Sequence, residues 1–134
     1  MSGPRKQALN PAGVAPPLKP YYSNAVRVGA GPLLFIAGQI ALDPAGNFVG
    51  KGDLRAQAVQ VLENIRTILR ASGADMADVV KVTVYVKTIA AFSEIADIRL
   101  RYFPSNGPAS AIVEISALAL PEALIEIEAI AVIP

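Results

Sequence analysis

A chain of 134 residues is one domain by size, long enough to bury roughly two-thirds of its unfolded surface. The charges nearly cancel at a net +1 and no Lys/Arg run is present, which argues against nucleic acid as a partner. Cysteine and histidine are both absent, so disulfides, thiol catalysis, imidazole bases and Cys- or His-ligated metal are excluded.

Residues 1–20 carry Pro4, Pro11, Pro16, Pro17 and Pro20 among small polar residues, and predict a flexible extended arm with no periodic pattern, partly disordered at its start. Residues 21–134 read as a single domain. Val26–Val28, a Gly29-Ala30-Gly31-Pro32 turn and Leu33–Ala37 predict an antiparallel hairpin, and Asp43-Pro44-Ala45-Gly46 predicts a tight turn. Asp53 stands where an N-cap belongs. Beyond it Leu54, Ala58, Val61, Leu62, Ile65, Ile68 and Leu69 recur every three or four residues, with Arg55, Gln57, Glu63, Arg66 and Arg70 elsewhere on the wheel. Gly73 closes this helix as a C′ residue.

Val79–Lys87 alternates, with Val80, Val82, Val84 and Val86 on one side and Lys81, Thr83, Tyr85 and Lys87 on the other, the pattern of a half-buried strand. Ala90–Phe103 has near-helical spacing and Pro104 stops it. Two strands follow, about Ser110–Leu118 and Leu124–Ile133, joined around Pro121. The order β-β-α-β-α-β-β predicts an α/β (α+β) mixed sheet with two helices on one face, helix-linked strands parallel and flanking pairs antiparallel. The other face needs its own cover. Hydrophobic residues make up 53% and charged residues 17%, against averages of about 45–50% and about 25%, so that cover is expected from other copies of the chain. No apolar run nears the about 18 residues of a membrane span, and Met1–Asn10 lacks a signal-peptide core, so a cytoplasmic protein is expected.

Chemistry is left to carboxylates, lysine, tyrosine, backbone groups and water. Alternation places Ser110, Ile112, Glu114 and Ser116 on one face of their strand, and Glu126 with Glu128 on one face of the next. Two carboxylates at i and i+2 in an apolar strand read either as solvent-facing groups paired across the sheet with Lys81, Lys87 or an arginine, or as groups lining an interface pocket. Tyr22, at the end of the arm, reads either as a ring over a cleft or as a cap on the sheet edge.

The run Pro108-Ala-Ser110-Ala-Ile-Val-Glu-Ile-Ser-Ala-Leu118, with Ile125-Glu126-Ile127 after it, resembles the signature of the RidA (YjgF/YER057c/UK114) family. Tyr22-Ser-Asn-Ala-Val26, Leu34-Phe-Ile-Ala-Gly-Gln-Ile40 and Val80–Val86 resemble it as well, so the likeness spans the chain from about Tyr21. It implies a chorismate-mutase-like fold, a homotrimer with outer helices and three inter-subunit clefts, and no metal or cofactor. In deaminating members an imine or enamine enters the cleft, an arginine fork grips its carboxylate, and a water oriented by a glutamate attacks the imine carbon.

By position, Tyr22 matches the cleft tyrosine, Glu126 the glutamate, Ser110 the arginine, Ile112 a frequent cysteine and Ala96 a cleft asparagine. Glu114 and Glu128 join Ser110 as groups that set the polarity of the substrate site. A serine offers one donor and no charge, so carboxylate recognition at position 110 is expected to be largely lost; Arg27, Arg99 and Arg101 are the candidates to replace it. The resemblance implies a divergent hydrolytic deaminase of an imine, an enamine or a related amine metabolite. The alternatives are a non-catalytic small-molecule-binding or protein-interaction trimer and, less favoured, an endoribonuclease.

Overall fold

The computed structural model describes residues 4–134. Ten elements run along them: β1 (Lys6–Leu9), β2 (Ala25–Val28), β3 (Leu33–Gln39), α1 (Leu54–Ala71), a 3-10 turn (Met76–Asp78), β4 (Val79–Val86), α2 (Ala91–Glu94), α3 (Ala96–Tyr102), β5 (Ala109–Glu114) and β6 (Ile125–Val132). The main sheet has the order β3-β6-β4-β5, with β4 parallel to β5 and β6 antiparallel to β3 and β4. The α+β class with a mixed sheet and helices on one face is thus as expected. Among the described residues no helix is long and apolar enough to cross a membrane.

The core lies between the sheet and α1. Ala58, Val61, Leu62, Ile65 and Leu69 of α1 pack with Val82, Val84 and Val86 of β4 and Ile125, Ile127 and Ala129 of β6, all buried. Helix α1 starts and stops where its end residues dictate. The Asp53 side chain accepts from the Ala56 amide, and Gly73 takes φ +76, a left-handed backbone that costs a glycine little.

Three features differ from the sequence reading. The extended arm carries a strand that the sequence reading did not place: β1 pairs antiparallel with β2, from Lys6 opposite Val28 to Leu9 opposite Ala25. Its first residues, Met1–Gly3, lie outside the described residues. Strand β2 therefore pairs with the arm and not with β3. The reason sits at Gly29, whose amide donates to Arg5 O and whose Cα lies so close to Pro4 O that a Cβ would overlap it. The glycine read as part of a hairpin turn is a point of close backbone approach. Third, the segment 90–103 is two helices broken at Ile95 (φ −111, ψ 11), and β5 ends at Glu114, with Ser116 and Leu118 in the following loop.

Strand β1 docks through Lys6, whose Nζ donates to Ala77 O at 3.1 Å. Burial lowers the Lys6 ammonium to about 8 against the pull of Asp78. The fold disfavours the charged form, so unfolding takes up a proton between about pH 8 and the ordinary lysine value of 10.5, and stability rises with pH through that window. Urea midpoints of wild type and Lys6→Met should converge, or reverse in favour of wild type, between pH 7.5 and 10. A constant difference would reject this account.

Candidate functional site

Ser110 sits on β5, the edge strand, in register with Val82. Residues directly across a ladder share a face, so Ser110, Ile112 and Glu114 look to the helix side together with Val82, Val84 and Val86. Ser110 is half-buried, and its Oγ accepts a 2.7 Å hydrogen bond from Arg99 Nη2. Arg99 lies in α3 and is only 2% exposed. Its guanidinium carbon stands 4.4 Å from the centroid of the Tyr21 ring, a cation–π contact. Burial lowers the Arg99 pKa from its usual value and raises that of Tyr21, with the guanidinium opposing the latter shift. Among the described residues no carboxylate pairs with Arg99, and the buried Tyr21 hydroxyl has no hydrogen-bond partner.

The segment carrying Tyr21 and Tyr22 is fastened to the start of β5. Ser23 donates its amide to Pro108 O and its hydroxyl to Gly107 O at 2.7 Å, and Ser23 bridges Ala109. A Cβ on Gly107 would collide with the Tyr21 carbonyl, so only glycine allows this approach. Tyr22 is half-buried, and its Oη accepts from the Leu18 amide at 2.9 Å. It borders a hollow of about 380 Å³ with Asn10, Lys19, Ser23 and Asn106. Tyr22 is held in place here and does not hang free.

Glu126 and Glu128 stand elsewhere. They pair across the ladder with Tyr85 and Thr83 and so occupy the helix-free face, opposite to Ser110. The Glu128 carboxylate accepts from Tyr85 Oη at 2.8 Å, which raises the Tyr85 phenol above its ordinary range. Neither glutamate forms an ion pair with Lys81, Lys87 or an arginine among the described residues. Glu126 lies on Gly38, where a Cβ would overlap its Oε2, so the β3 bulge glycine leaves the space the carboxylate occupies. Beside this pair is a groove of about 530 Å³ walled by Phe35, Ala37, Lys81, Thr83, Glu128 and Ile130. Phe35 is 72% exposed and Val113 of the same face 40%.

One chain therefore brings Ser110 together with Arg99 and Tyr21, and Glu126 with Glu128, but not the two groups with each other. Glu114 is drawn away from both, since its Oε1 accepts from the Ile89 amide and caps the turn into α2. Arg27 and Arg101, the other candidate replacements for a guanidinium at 110, make no hydrogen bond to Ser110. Among the described residues no three acidic side chains gather as a metal-binding group. The sequence offered one signal for Arg99, a charged residue among the apolar positions of a short amphipathic helix. For Tyr21 it offered none.

Strand order, a helix-covered face and a bare face define a small α+β domain whose polar groups sit at a sheet edge and on an open sheet surface. Comparison with known proteins places it more narrowly. The family model described as Endoribonuclease L-PSP matches residues 13–133. A RutC family protein of Pyrococcus horikoshii is 44% identical over 126 residues, covering 94% of this chain and 97% of that protein. A Bos taurus protein named 2-iminobutanoate/2-iminopropanoate deaminase is 40% identical, covering 93% and 85%. The crystal structure of a Rid family protein of unknown function from Yersinia pestis superposes with a TM-score of 0.90 at 38% identity, covering 96% of this chain and 99% of that one. The chain belongs to this family, the RidA (YjgF/YER057c/UK114) family.

Proposed function

We propose that the protein is a hydrolytic deaminase of a small imine or enamine, working in clefts formed where copies of the chain meet. The observation that carries this reading is the carboxylate of Glu126 on the helix-free sheet face, seated over Gly38 beside Glu128. Its position on the face opposite Ser110 requires a second copy if the two are to share a ligand, and the exposed Phe35 and Val113 give that copy apolar surface to cover. A homotrimer with three such clefts meets both demands. In the reaction Glu126 would hold a water against the imine carbon. The water adds its oxygen to carbon, the C–N bond breaks, and an imine with one water becomes a 2-oxo compound and ammonia. Tyr22 and Ser110 would line the cleft, with Glu128 restrained by Tyr85.

The lifetime of imines released in situ by an amino-acid oxidase provides the test. Purified protein should shorten it, and Glu126→Ala should remove at least about 100-fold of that effect, the order seen when a positioned acid–base group is lost. Equal lifetimes with and without the protein would favour the second reading, a small-molecule-binding or interaction trimer without turnover. That reading is supported by the missing arginine at position 110. An endoribonuclease is least supported, given the near-zero net charge and the lack of histidine.

A further inference from the structure

A separate hollow of about 410 Å³ lies between β1, the 3-10 turn and the loop entering β5, walled by Lys6, Gln7, Ala8, Ala77, Ser105 and Asn106. Its cation lacks a counter-ion. Asp78 attracts Lys6, but its Oδ1 accepts from Arg5 Nη2 at 2.8 Å and its Oδ2 from the Asp75 amide at 3.0 Å. Among the described residues no carboxylate forms an ion pair with Lys6, whose Nζ donates to a neutral acceptor, Ala77 O.

An amine held in this way is suited to nucleophilic chemistry. Ala77 O takes one N–H, and once the ammonium has lost a proton the lone pair is directed away from that bond. Burial brings the ammonium to about 8, so about a fifth of Lys6 is neutral at pH 7.4, against about a thousandth for an ordinary lysine. The wall beside it offers a hydroxyl and two amides, from Ser105, Gln7 and Asn106, with the methyl groups of Ala8 and Ala77. Such a lining suits a guest that carries hydroxyl groups. The guest must also be uncharged, since Arg5 is committed to Asp78 and Asp78 repels an anion.

We propose that Lys6, Ser105 and Asn106 form a capture site for a short hydroxy-aldehyde, held as a reversible Schiff base on the Lys6 nitrogen. The nitrogen lone pair adds to the aldehyde carbon, and a proton passes from nitrogen to the aldehyde oxygen to give a carbinolamine. The C–O bond then breaks, the oxygen leaves as water with the second N–H proton, and a C=N bond remains. Ser105 and Asn106 bind the hydroxyl of the guest. The site goes beyond the deaminase reading and does not depend on it.

The test treats the full chain at pH 7.4 with glycolaldehyde and cyanoborohydride, which reduces the Schiff base to a stable amine, and maps the modified peptides. Lys6 should be alkylated at least about tenfold faster than Lys19, Lys51, Lys81 and Lys87, the gain in free amine outweighing the lower nucleophilicity of a weaker base. With propanal, of similar size but without the hydroxyl, that lead should shrink at least about threefold, the order of one net hydrogen bond. Ser105→Ala and Asn106→Gly should each reduce the lead with glycolaldehyde and leave that with propanal unchanged. Glycine keeps the left-handed backbone that Asn106 adopts at φ 49. Should Asn106→Gly still disturb the loop, Ser105→Ala carries the comparison. Lys6 reacting no faster than the other lysines overturns the proposal. An equal lead with both aldehydes overturns it as well, since Lys6 would then be a basic amine without a binding site around it.

Discussion

Gln57→Leu should destabilise the protein by about 3–5 kcal/mol, a large share of the about 5–15 kcal/mol available to a domain of this kind. Gln57 is fully buried at the first turns of α1. Its Nε2 donates to Gly50 O at 2.9 Å and Glu122 O at 3.1 Å, and its Oε1 accepts from the Leu124 amide at 2.8 Å. One side chain thus ties the helix to the turn before it and to the loop entering β6. Leucine fills similar space but leaves one donor and two acceptors facing a side chain that cannot answer them. The loop can recover some of these bonds to water, which keeps the sum below three full penalties. Urea unfolding at fixed protein concentration would show a lower midpoint with an unchanged slope. A change within about 0.5 kcal/mol would mean that the loop does not depend on this anchor.

Restoring arginine at position 110 should harm the fold before it helps the chemistry. The space behind Ser110 already holds the Arg99 guanidinium, whose Nη2 is 2.7 Å from Ser110 Oγ, and among the described residues no carboxylate pairs with Arg99. Ser110→Arg should therefore cost about 2 kcal/mol; the half-buried edge lets a long side chain escape toward solvent, so the full penalty of a buried unpaired charge is avoided. Combining it with Arg99→Leu should recover most of that loss and return a single guanidinium to the strand. A double-mutant cycle measures the conflict directly as a coupling between residues 99 and 110. Additive effects would show that the two side chains do not contend for one space.

What was readable in the sequence follows from locality. Helix α1 and strand β4 announce themselves through repeating apolar positions and end residues, which depend only on neighbours a turn or two away. The same holds for the Glu126–Glu128 pair, placed on one face by simple alternation. Gln57 was assigned away from the buried stripe because a glutamine is normally solvated, and its burial depends on a loop 65 residues further along. Likewise, alternation within β5 and within β6 says nothing about their relative sides. With β4 inserted between them, Ser110 and Glu126 fall on opposite faces. The missing signature arginine was plain from residue 110 alone. Its neighbour Arg99 was one of three candidates until the packing of α3 against the sheet edge singled it out.

The fastening of residues 21–23 to Gly107–Ala109 has a bearing on kinetics. Because Tyr22 is anchored at its hydroxyl and, next to it, through the backbone and side chain of Ser23, the ordering entropy of that wall is spent during folding and not during each encounter. For the cleft proposed above, arrival of a small molecule at this edge would not wait for a flap, and its capture rate should then depend on diffusion and solvent viscosity.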